Sequence, residues 1–330
     1  MKPSRLAFFL ERKGFVLPET GEIAVFGARA ESDLSMLPKD RLRLICGLKP
    51  DVDALQAAGY AVVTGLPHQA ALALVFPPRA KAQARAMVAQ ALELAGVAII
   101  DGQKHDGVDS LYRDLRVRAD CGPAFSKAHG KTFVVQAGDD RLADWRQSGA
   151  ASLNADGFVT VPGVFSADGI DPASKLLAAA LPARLKGHVA DFGAGWGYLA
   201  TEILKHEGVE RLDLVEADHA ALECARENVT DLRARFHWAD ACTWRPEQPL
   251  DIVVMNPPFH TGRKGVPALG QAFIRNAATC LAPGGRLFMV ANRHLPYETA
   301  LRESFREVEE IGGDTRFKLF AAARPSRPRR

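Results

Sequence analysis

Short apolar runs alternate with helix-forming segments along the first half of the chain. The apolar runs occupy residues 23–27, 42–46, 72–76 and 97–100, and the alanine-rich stretch 80–95 has high helix propensity. Strands that alternate with helices in this way form parallel sheets covered by helices on both faces. The pattern predicts a doubly wound α/β domain.

The second half repeats the alternation, but several of its strand-like runs end at or next to polar residues or glycine. Six runs predict strands: 188–192, 212–218, 235–242, 251–255, 286–291 and 316–322. Residues 75–78 of the first half match residues 255–258 of the second, and residues 96–100 match 285–290. Nearer the start of each half, residues 25–29 match residues 191–195. The polar or glycine residues of the second copy are replaced in the first: Asp191 by Val25, Gly195 by Arg29, Gly197 by Glu31, and Asn256 by Phe76.

We therefore predict one fold repeated twice, with a first copy that lacks chemistry of its own. Chance similarity between two α/β domains is the alternative, because short apolar matches are weak. A chain of 330 residues is longer than one domain with a single hydrophobic core usually is. Gly, Ala, Ser and Asn cluster at 149–154, so we place the domains at 1–150 and 151–330.

Composition narrows the class of protein. Hydrophobic content of 47% and charged content of 25% are typical of soluble globular proteins. There is no run of about 18 apolar residues, and the N-terminal apolar stretch ends too early for a secretory signal. We expect a cytoplasmic protein whose scattered cysteines are buried, reduced thiols, without disulfides or a metal site: Cys46, Cys121, Cys224, Cys242 and Cys280.

Charge alone does not indicate a nucleic-acid binder. Lys and Arg outnumber Asp and Glu by 20 to 17 in residues 1–150 and equal them at 22 to 22 in residues 151–330. Four of these arginines lie in the last seven residues, and without them the second half has 18 basic residues against 22 acidic ones. The basic tail fits either a phosphate contact or a solvated terminus.

The strand at 251–255 runs directly into Asn256, Pro257, Pro258 and Phe259. Two prolines remove two backbone donors and end the strand, so this segment forms a corner at the carboxyl end of a strand, where open α/β sheets bind ligands. The Asn256 side-chain oxygen and the Pro257 carbonyl can accept from the two N–H groups of a conjugated amine, and Phe259 can stack on a planar substrate. Alternatively, the two prolines form only a turn.

Acidic residues follow the three preceding strands. Asp191 leads into a glycine-rich turn with Gly193 and Gly195, Glu216 follows 25 residues later, and Asp240 ends the next strand. A carboxylate in the Glu216 position can accept from both ribose hydroxyls, and Asp240 suits an adenine amine. Asp218 competes with Glu216 but more simply caps the next helix.

Two further features flank these strand ends. Asp171 before Pro172 has the features of a helix N-cap, which can account for it fully. The loop after the prolines carries His260, Arg263 and Lys264. Arg263 and Lys264 are either solvated loop residues or contacts to RNA phosphates.

With these residues the second half resembles class I S-adenosylmethionine-dependent methyltransferases, and the whole chain resembles the ribosomal RNA small subunit methyltransferase C family. The matching segments are 162–169, 191–197, 256–260, 291–297 and 316–318. The resemblance implies two tandem Rossmann-like domains, the first of them degenerate and used for RNA docking and stability. Little of the first domain matches beyond Pro77, Pro78 and the following helix, so its RNA contacts cannot be assigned.

The implied activity is methyl transfer from S-adenosyl-L-methionine to the exocyclic amine of a guanine in ribosomal RNA, by a monomer acting on RNA or a ribosomal subunit. The implied catalytic residues are Asn256, Pro257 and Phe259, with His260, Arg263 and Lys264 contacting the substrate. The implied cofactor residues are Phe165, Asp191, Gly193, Gly195, Glu216, Asp240, Ala241 and Asn256.

Other functions fit parts of the same pattern. A sister family that modifies large-subunit guanine has the same layout, and the Asn-Pro-Pro-aromatic motif also serves adenine and protein-glutamine methyltransferases. The long first domain favours a large RNA over a protein substrate, and no DNA-recognition segment is evident. A non-catalytic ribosome-assembly protein is disfavoured, because a dead site has no need of all four polar groups at 191, 216, 240 and 256.

Overall fold

The computed structural model describes residues 4–12, 15–138, 141–258, 260–261, 264–265 and 267–326. Contacts divide the chain into two compact units. Unit 1 is Met1–Ala151 with Val161–Gly163, and unit 2 is Ser152–Thr160 with Val164–Arg330.

Unit 1 is a mostly parallel sheet with flanking helices. Its helices are α1 (Arg5–Arg12), α2 (Lys49–Ala57), α3 (Lys81–Ala95), α4 (Val108–Arg116) and α5 (Ala143–Gln147). Its strands are β1 (Ile23–Phe26), β2 (Leu42–Ile45), β3 (Ala61–Val63), β4 (Leu72–Val75), β5 (Val97–Gln103), β6 (Asp120–Cys121), β7 (Phe125–Lys127) and β8 (Gly130–Gln136). The strand order is β3-β2-β1-β4-β5-β8-β6, with β7 also on β8, and β8 is the first antiparallel strand.

Unit 2 has the same layout. Its helices are α6 (Pro172–Ala180), α7 (Tyr198–Leu204), α8 (His219–Asn228), α9 (Pro267–Cys280) and α10 (Glu298–Ser304). Its main sheet has the order β13-β12-β11-β14-β17-β19-β18, and only β19 and β18 run antiparallel to their neighbours. These strands are β11 (Gly187–Phe192), β12 (Val209–Glu216), β13 (Ala234–Trp238), β14 (Leu250–Met255), β17 (Leu281–Asn292), β18 (Phe305–Gly313) and β19 (Phe317–Pro325). Two short pairs complete it: β9 (Ser152–Leu153) with β10 (Val159–Thr160), and β15 (His260–Thr261) with β16 (Lys264–Gly265).

The central strands are buried on both faces, as their continuous apolar runs predict. In unit 2, Phe192 and Met255 pack with Phe273 of α9 on one face of the sheet. On the other face, Val254 packs with Ile203 of α7. Helices therefore cover both faces, and the predicted fold class of two tandem Rossmann-like domains is confirmed.

Some details differ from the sequence-based expectations. β18 was not among the predicted strands; its charged residues are exposed because it forms the edge of the sheet. Three cysteines are buried, whereas Cys121 and Cys242 are half-buried rather than buried, so that expectation was wrong for these two. Burial still raises the pKa of the Cys121 thiol to about 11 and that of Cys242 to about 12. Within the described part of the chain, no helix has the length and apolar character needed to cross a membrane.

Candidate active site

The turn from β11 into α7 contains three glycines in left-handed backbone conformations. Gly193 has φ +74°, Gly195 has φ +56° and Gly197 has φ +97°, which residues with a side chain rarely adopt. A Cβ added at Gly197 would lie 2.8 Å from Val229, whereas one at Gly195 would meet no described atom within 4 Å. Gly197 is thus required by packing, while Gly195 leaves an open approach to the backbone of the turn.

Glu216 lies beside this turn at the end of β12. Its two carboxylate oxygens accept from the backbone N–H of Gly195 at 2.8 Å and of Asp218 at 2.7 Å. Burial raises the pKa of the Glu216 carboxyl group. Asp218 in turn caps α8 by accepting from Ala220 N at 3.0 Å, which confirms the simpler role predicted for it.

Asp191 is the most unusual group in the site. It is fully buried, and neither carboxyl oxygen has a hydrogen-bond partner among the described residues. Burial raises its pKa to about 8, and the nearby Glu216 carboxylate adds to the rise. A buried carboxylate without donors is costly. A cationic ligand group beside it would compensate that cost.

Asn256 follows β14 and is held by the first turn of α6. Its Nδ2 donates to Asp171 Oδ2 at 3.0 Å and to Ser174 Oγ at 2.8 Å. Its Oδ1 is buried and has no partner among the described residues. The side chain therefore presents one unused acceptor, which is the property predicted for the residue that orients an amine.

Strand register brings these groups to one edge of the sheet. Phe192 of β11 pairs with Met255 of β14, so the glycine turn and Asn256 leave the sheet side by side. On the other side of β11, Phe192 pairs with Val215, the residue before Glu216. Five predicted site residues thus occupy three adjacent strand ends: Asp191, Gly193, Gly195, Glu216 and Asn256.

Asp240 and Ala241 lie at the same edge, beyond the end of β13. Asp240 Oδ1 accepts from Cys242 N at 2.8 Å, so one of its oxygens stabilises its own turn. Ala241 is buried, and its carbonyl accepts from Asn276 Nδ2 at 2.7 Å.

Phe165 is attached to the glycine turn by its backbone. Its carbonyl accepts from Trp196 Nε1 at 2.8 Å, while 55% of the residue is exposed. Ser166 follows with φ +51°, a conformation that turns the chain sharply at this point. The exposed ring lies next to the turn, and the cofactor-binding role that the resemblance implies for Phe165 stays a prediction.

Part of the predicted substrate loop lies outside the described residues. Phe259 and Arg263 belong to this part, and for His260 and Lys264 only the backbone pairing of β15 with β16 is described. Pro257 is buried directly after Asn256. The roles of these residues stay predictions.

The N-terminus of α6 corrects one expectation. Asp171 does cap the helix, accepting from Ser174 N at 2.8 Å, but its contact with Asn256 is a second role that the sequence analysis did not foresee. Ser174 was missed altogether. The three-residue spacing of Asp171 and Ser174 signals a helix start, but no local pattern links them to a residue more than 80 positions away.

A shallow pocket with a volume of about 550 Å³, called the concave surface below, lies where β17 ends and β19 begins. It is lined by Asn292, Arg293, His294, Thr315, Arg316 and Phe317. Arg293 is committed to the fold, because it donates to Asp314 O at 2.9 Å, Glu310 Oε1 at 3.1 Å and Phe317 O at 3.1 Å. The Arg316 guanidinium lies over the Phe317 ring at 5.0 Å and 3.8 Å from Asp314 Oδ2, with 64% of its side chain exposed. Since β17 neighbours β14, this surface shares the edge that carries Asn256.

Comparison with known proteins places these features in a family. Residues 156–321 match the family model of the Methyltransferase small domain. The ribosomal RNA small subunit methyltransferase C of Aeromonas hydrophila is 30% identical over 282 residues, which is 78% of this chain and 78% of that protein. The protein of the same name from Klebsiella pneumoniae is 32% identical over 252 residues, covering 74% of this chain and 72% of that protein.

A solved structure has the same fold along nearly the whole chain. It is the T. thermophilus 16S rRNA N2 G1207 methyltransferase in complex with AdoMet and guanosine, with a TM-score of 0.77 and 24% identity. The match covers 94% of this chain and 90% of that one. The predicted resemblance and enzyme class are confirmed: the chain belongs to the ribosomal RNA small subunit methyltransferase C family.

Proposed function

We propose that unit 2 transfers a methyl group from S-adenosyl-L-methionine to the exocyclic N2 amine of a guanine in 16S ribosomal RNA. The observation that carries this proposal is the single unused acceptor of Asn256, held at the same sheet edge as the unpaired Asp191 carboxyl group. The two relatives described above are named as small-subunit ribosomal RNA methyltransferases, which supports the choice of RNA over protein or DNA.

The residues present fit this cofactor. The fit is supported by a buried carboxyl group without donors at Asp191, an open backbone approach at Gly195 and a carboxylate at Glu216 placed for ribose hydroxyls. Asp240 and the exposed Phe165 ring would contact the adenine. When bound, S-adenosylmethionine supplies a methyl group activated by a sulfonium.

The protein's own contribution is to orient the amine. The N2 lone pair of guanine is delocalised into the ring, so the free amine is a poor nucleophile. Acceptors at Asn256 Oδ1 and the Pro257 carbonyl bind its two N–H groups and favour a tetrahedral nitrogen whose lone pair points at the methyl group. The methylated nitrogen is acidic enough to lose a proton to water, so no catalytic His or Glu is needed, and His260 at most positions the base.

The target guanine must leave its stack in the RNA to reach Asn256. We assign its stacking partner as Phe259 and the phosphate contacts as Arg263 and Lys264, as the sequence predicts. The concave surface on β17 and β19 adds the exposed Arg316. Replacing Arg316 with alanine should weaken RNA binding. It should also make the slope of log K against log salt concentration shallower by about one, the change expected for one lost phosphate contact. Arg302→Ala, an exposed arginine on α10, is the control and should bind RNA normally.

Unit 1 is proposed as the RNA-docking and stabilising domain of a cytoplasmic monomer. Deleting residues 1–150 should leave cofactor affinity measurable but abolish methylation of ribosomal RNA. A soluble fragment of residues 151–330 that methylates at the full rate would contradict the docking role.

The decisive experiment uses labelled S-adenosylmethionine with small subunits, large subunits, naked 16S RNA, DNA and a release factor. Mass spectrometry of digested RNA should identify N2-methylguanosine from the small-subunit substrates. Label incorporated only into large-subunit RNA, an adenine or a protein would refute the proposed substrate. Absence of transfer to any substrate, despite cofactor binding, would favour a binding protein.

A further inference from the structure

Both N–H groups of the Asn256 side chain face acceptors on one turn of α6. Nδ2 donates to Asp171 Oδ2 at 3.0 Å and to Ser174 Oγ at 2.8 Å. The same Asp171 oxygen also accepts from Ser174 N at 2.8 Å. One carboxylate oxygen thus joins the start of α6 to the residue that follows β14.

These contacts determine which end of the amide faces the ligand. An asparagine side chain can rotate by half a turn and exchange its oxygen for its nitrogen at almost no steric cost. Here the rotated form would place Oδ1 against the Asp171 carboxylate and turn two donors toward the substrate. Repulsion between two acceptors disfavours that form, so Oδ1 remains the atom that faces away from Asp171 and Ser174.

We infer that Asp171 and Ser174 are positioning residues that make Asn256 an acceptor-only group and so select an N–H nucleophile; this rests on the proposed function. Guanine carries a donor at N2 and an acceptor at O6. A site that offers Oδ1 binds the amine and repels the carbonyl, since an unpaired or opposed polar group in a buried site costs much more than a missing contact.

The helix-capping role of Asp171 requires a substitution that separates the two functions. Serine is about as good an N-cap as aspartate, but its shorter side chain cannot also reach Asn256 Nδ2. Asp171→Ser therefore keeps the cap and removes the carboxylate. Ser174→Ala keeps the backbone N–H that is capped and removes only the hydroxyl acceptor. Asp231→Ser, at a surface turn of the same unit, is the matched control.

Single-turnover methylation of small subunits by the full-length protein at saturating cofactor measures the effect. We expect the rate constant to fall roughly tenfold to a hundredfold in Asp171→Ser and roughly threefold to tenfold in Ser174→Ala, as for lost charged and neutral hydrogen bonds. Cofactor affinity and melting temperature should stay close to wild type in both, and Asp231→Ser should transfer methyl groups at the wild-type rate. Wild-type turnover in Asp171→Ser would overturn the inference.

A double-mutant cycle distinguishes positioning from a general structural role. If Asp171 acts through Asn256, Asp171→Ser should have no further effect on the rate constant in an Asn256→Ala background. An equal loss in both backgrounds would show that Asp171 acts through something else.

One readout does not depend on methyl transfer. With asparagine labelled by nitrogen-15, the side-chain amide protons of Asn256 should exchange slowly in wild type and fast in Asp171→Ser; the signal is assigned by its loss in Asn256→Ala. Slow exchange combined with no guanine methylation would refute the proposed function but leave the amide orientation intact. Fast exchange in the wild type would refute the positioning role.

Discussion

The two units of this chain have one architecture and very different chemistry. The five parallel strands have the same order in each, β3-β2-β1-β4-β5 in unit 1 and β13-β12-β11-β14-β17 in unit 2. The registers agree as well, because Phe26 pairs with Val75 as Phe192 pairs with Met255. The predicted equivalence of the two copies therefore holds to the residue at these strands.

That register identifies the residues of unit 1 that stand where unit 2 carries its polar groups. Three of them follow from the strand pairing, and all three are apolar or weakly polar: Val25 for Asp191, Cys46 for Glu216, and Phe76 for Asn256. Unit 1 forms a complete sheet without any of these three polar groups. The scaffold therefore does not depend on the site, and the site is an addition to the fold.

The turn after the first strand shows how unit 1 closes the corresponding position. Gly27 keeps a left-handed φ of +70°, close to the +74° of Gly193. Beyond it, however, Asp51 accepts from Ala30 N at 3.0 Å and from Arg29 Nη1 at 3.2 Å. Unit 1 thus fills its own turn with an ion pair, where unit 2 keeps an open glycine.

The largest expected effect is on the pH dependence of stability. It should come from Asp191→Val, which replaces the buried acid of unit 2 with the valine that unit 1 has at the equivalent position. With a folded-state pKa of about 8 against an ordinary 3.8, the folded cofactor-free protein holds one more proton than the unfolded chain between these values. Its stability therefore falls as pH rises, by about 1.4 kcal/mol per unit and on the order of 5 kcal/mol in all, while the valine variant lacks this term.

Urea unfolding followed by tryptophan fluorescence at pH 5 to 9 measures this difference, since Trp196, Trp238 and Trp244 all belong to unit 2. The advantage of Asp191→Val should grow up to about pH 8 and then level off. The reciprocal Val25→Asp should impose the same pH dependence on unit 1. Parallel pH profiles for wild type and Asp191→Val would contradict the assignment.

Asn256→Ala should have the next largest effect, on the rate of methyl transfer. Loss of an acceptor that acts mainly in the transition state should cost roughly 3–4 kcal/mol, or about a hundredfold to a thousandfold, by analogy with an oxyanion-hole donor. Cofactor affinity should change much less, because other strand ends hold the nucleoside. Single-turnover kinetics beside a cofactor titration separates the two.

Phe76→Asn in unit 1 is the control, and its turnover should be unchanged. An Asn256→Ala protein that fails only because it cannot bind S-adenosylmethionine would move Asn256 from catalysis to cofactor binding.

Glu216→Ala should weaken cofactor binding by roughly tenfold to a hundredfold, the range for a lost charged hydrogen bond of about 1.5–3 kcal/mol. Cys46→Ala, at the equivalent position of unit 1, should leave affinity unchanged. Isothermal titration calorimetry should give one cofactor site per chain in wild type. A stoichiometry of two cofactor molecules per chain would contradict the prediction that only unit 2 binds the cofactor.

The smallest effect concerns the glycines of the turn. Gly195→Ala should cost only about 1 kcal/mol of stability from its φ of +56°, because no described atom lies within 4 Å of the added methyl group. Gly197→Ala should cost more, since its methyl group would meet Val229 at 2.8 Å. Differential scanning calorimetry measures both. Gly195→Ala should lose more cofactor affinity than stability, and equal melting temperatures for the two variants would contradict this geometry.

The sequence predicted the strand-end residues well because each belongs to a local pattern. Asp191 and Glu216 lie at the carboxyl ends of apolar strands, Asn256 directly follows one, and parallel strands end at one edge. The contact between Asp171 and Asn256 could not be predicted, because it joins residues 85 positions apart through tertiary packing. Similarly, β18 was missed because an exposed edge strand carries few apolar residues to mark it.

The helix that precedes the first strand performs a different task in each unit. In unit 1 this is α1, whose Arg5 is buried and donates to Asp101 at 2.7 Å and Thr132 at 3.2 Å. In unit 2 it is α6, whose first turn holds Asn256. The smallest fragment that keeps the methyltransferase site therefore begins before the sheet. A fragment or chimera that starts at Gly187 would keep all seven main-sheet strands but lose the α6 contacts that orient the Asn256 side-chain amide. Transplanting this chemistry to another copy of the fold requires the preceding helix as well as the strand-end motifs.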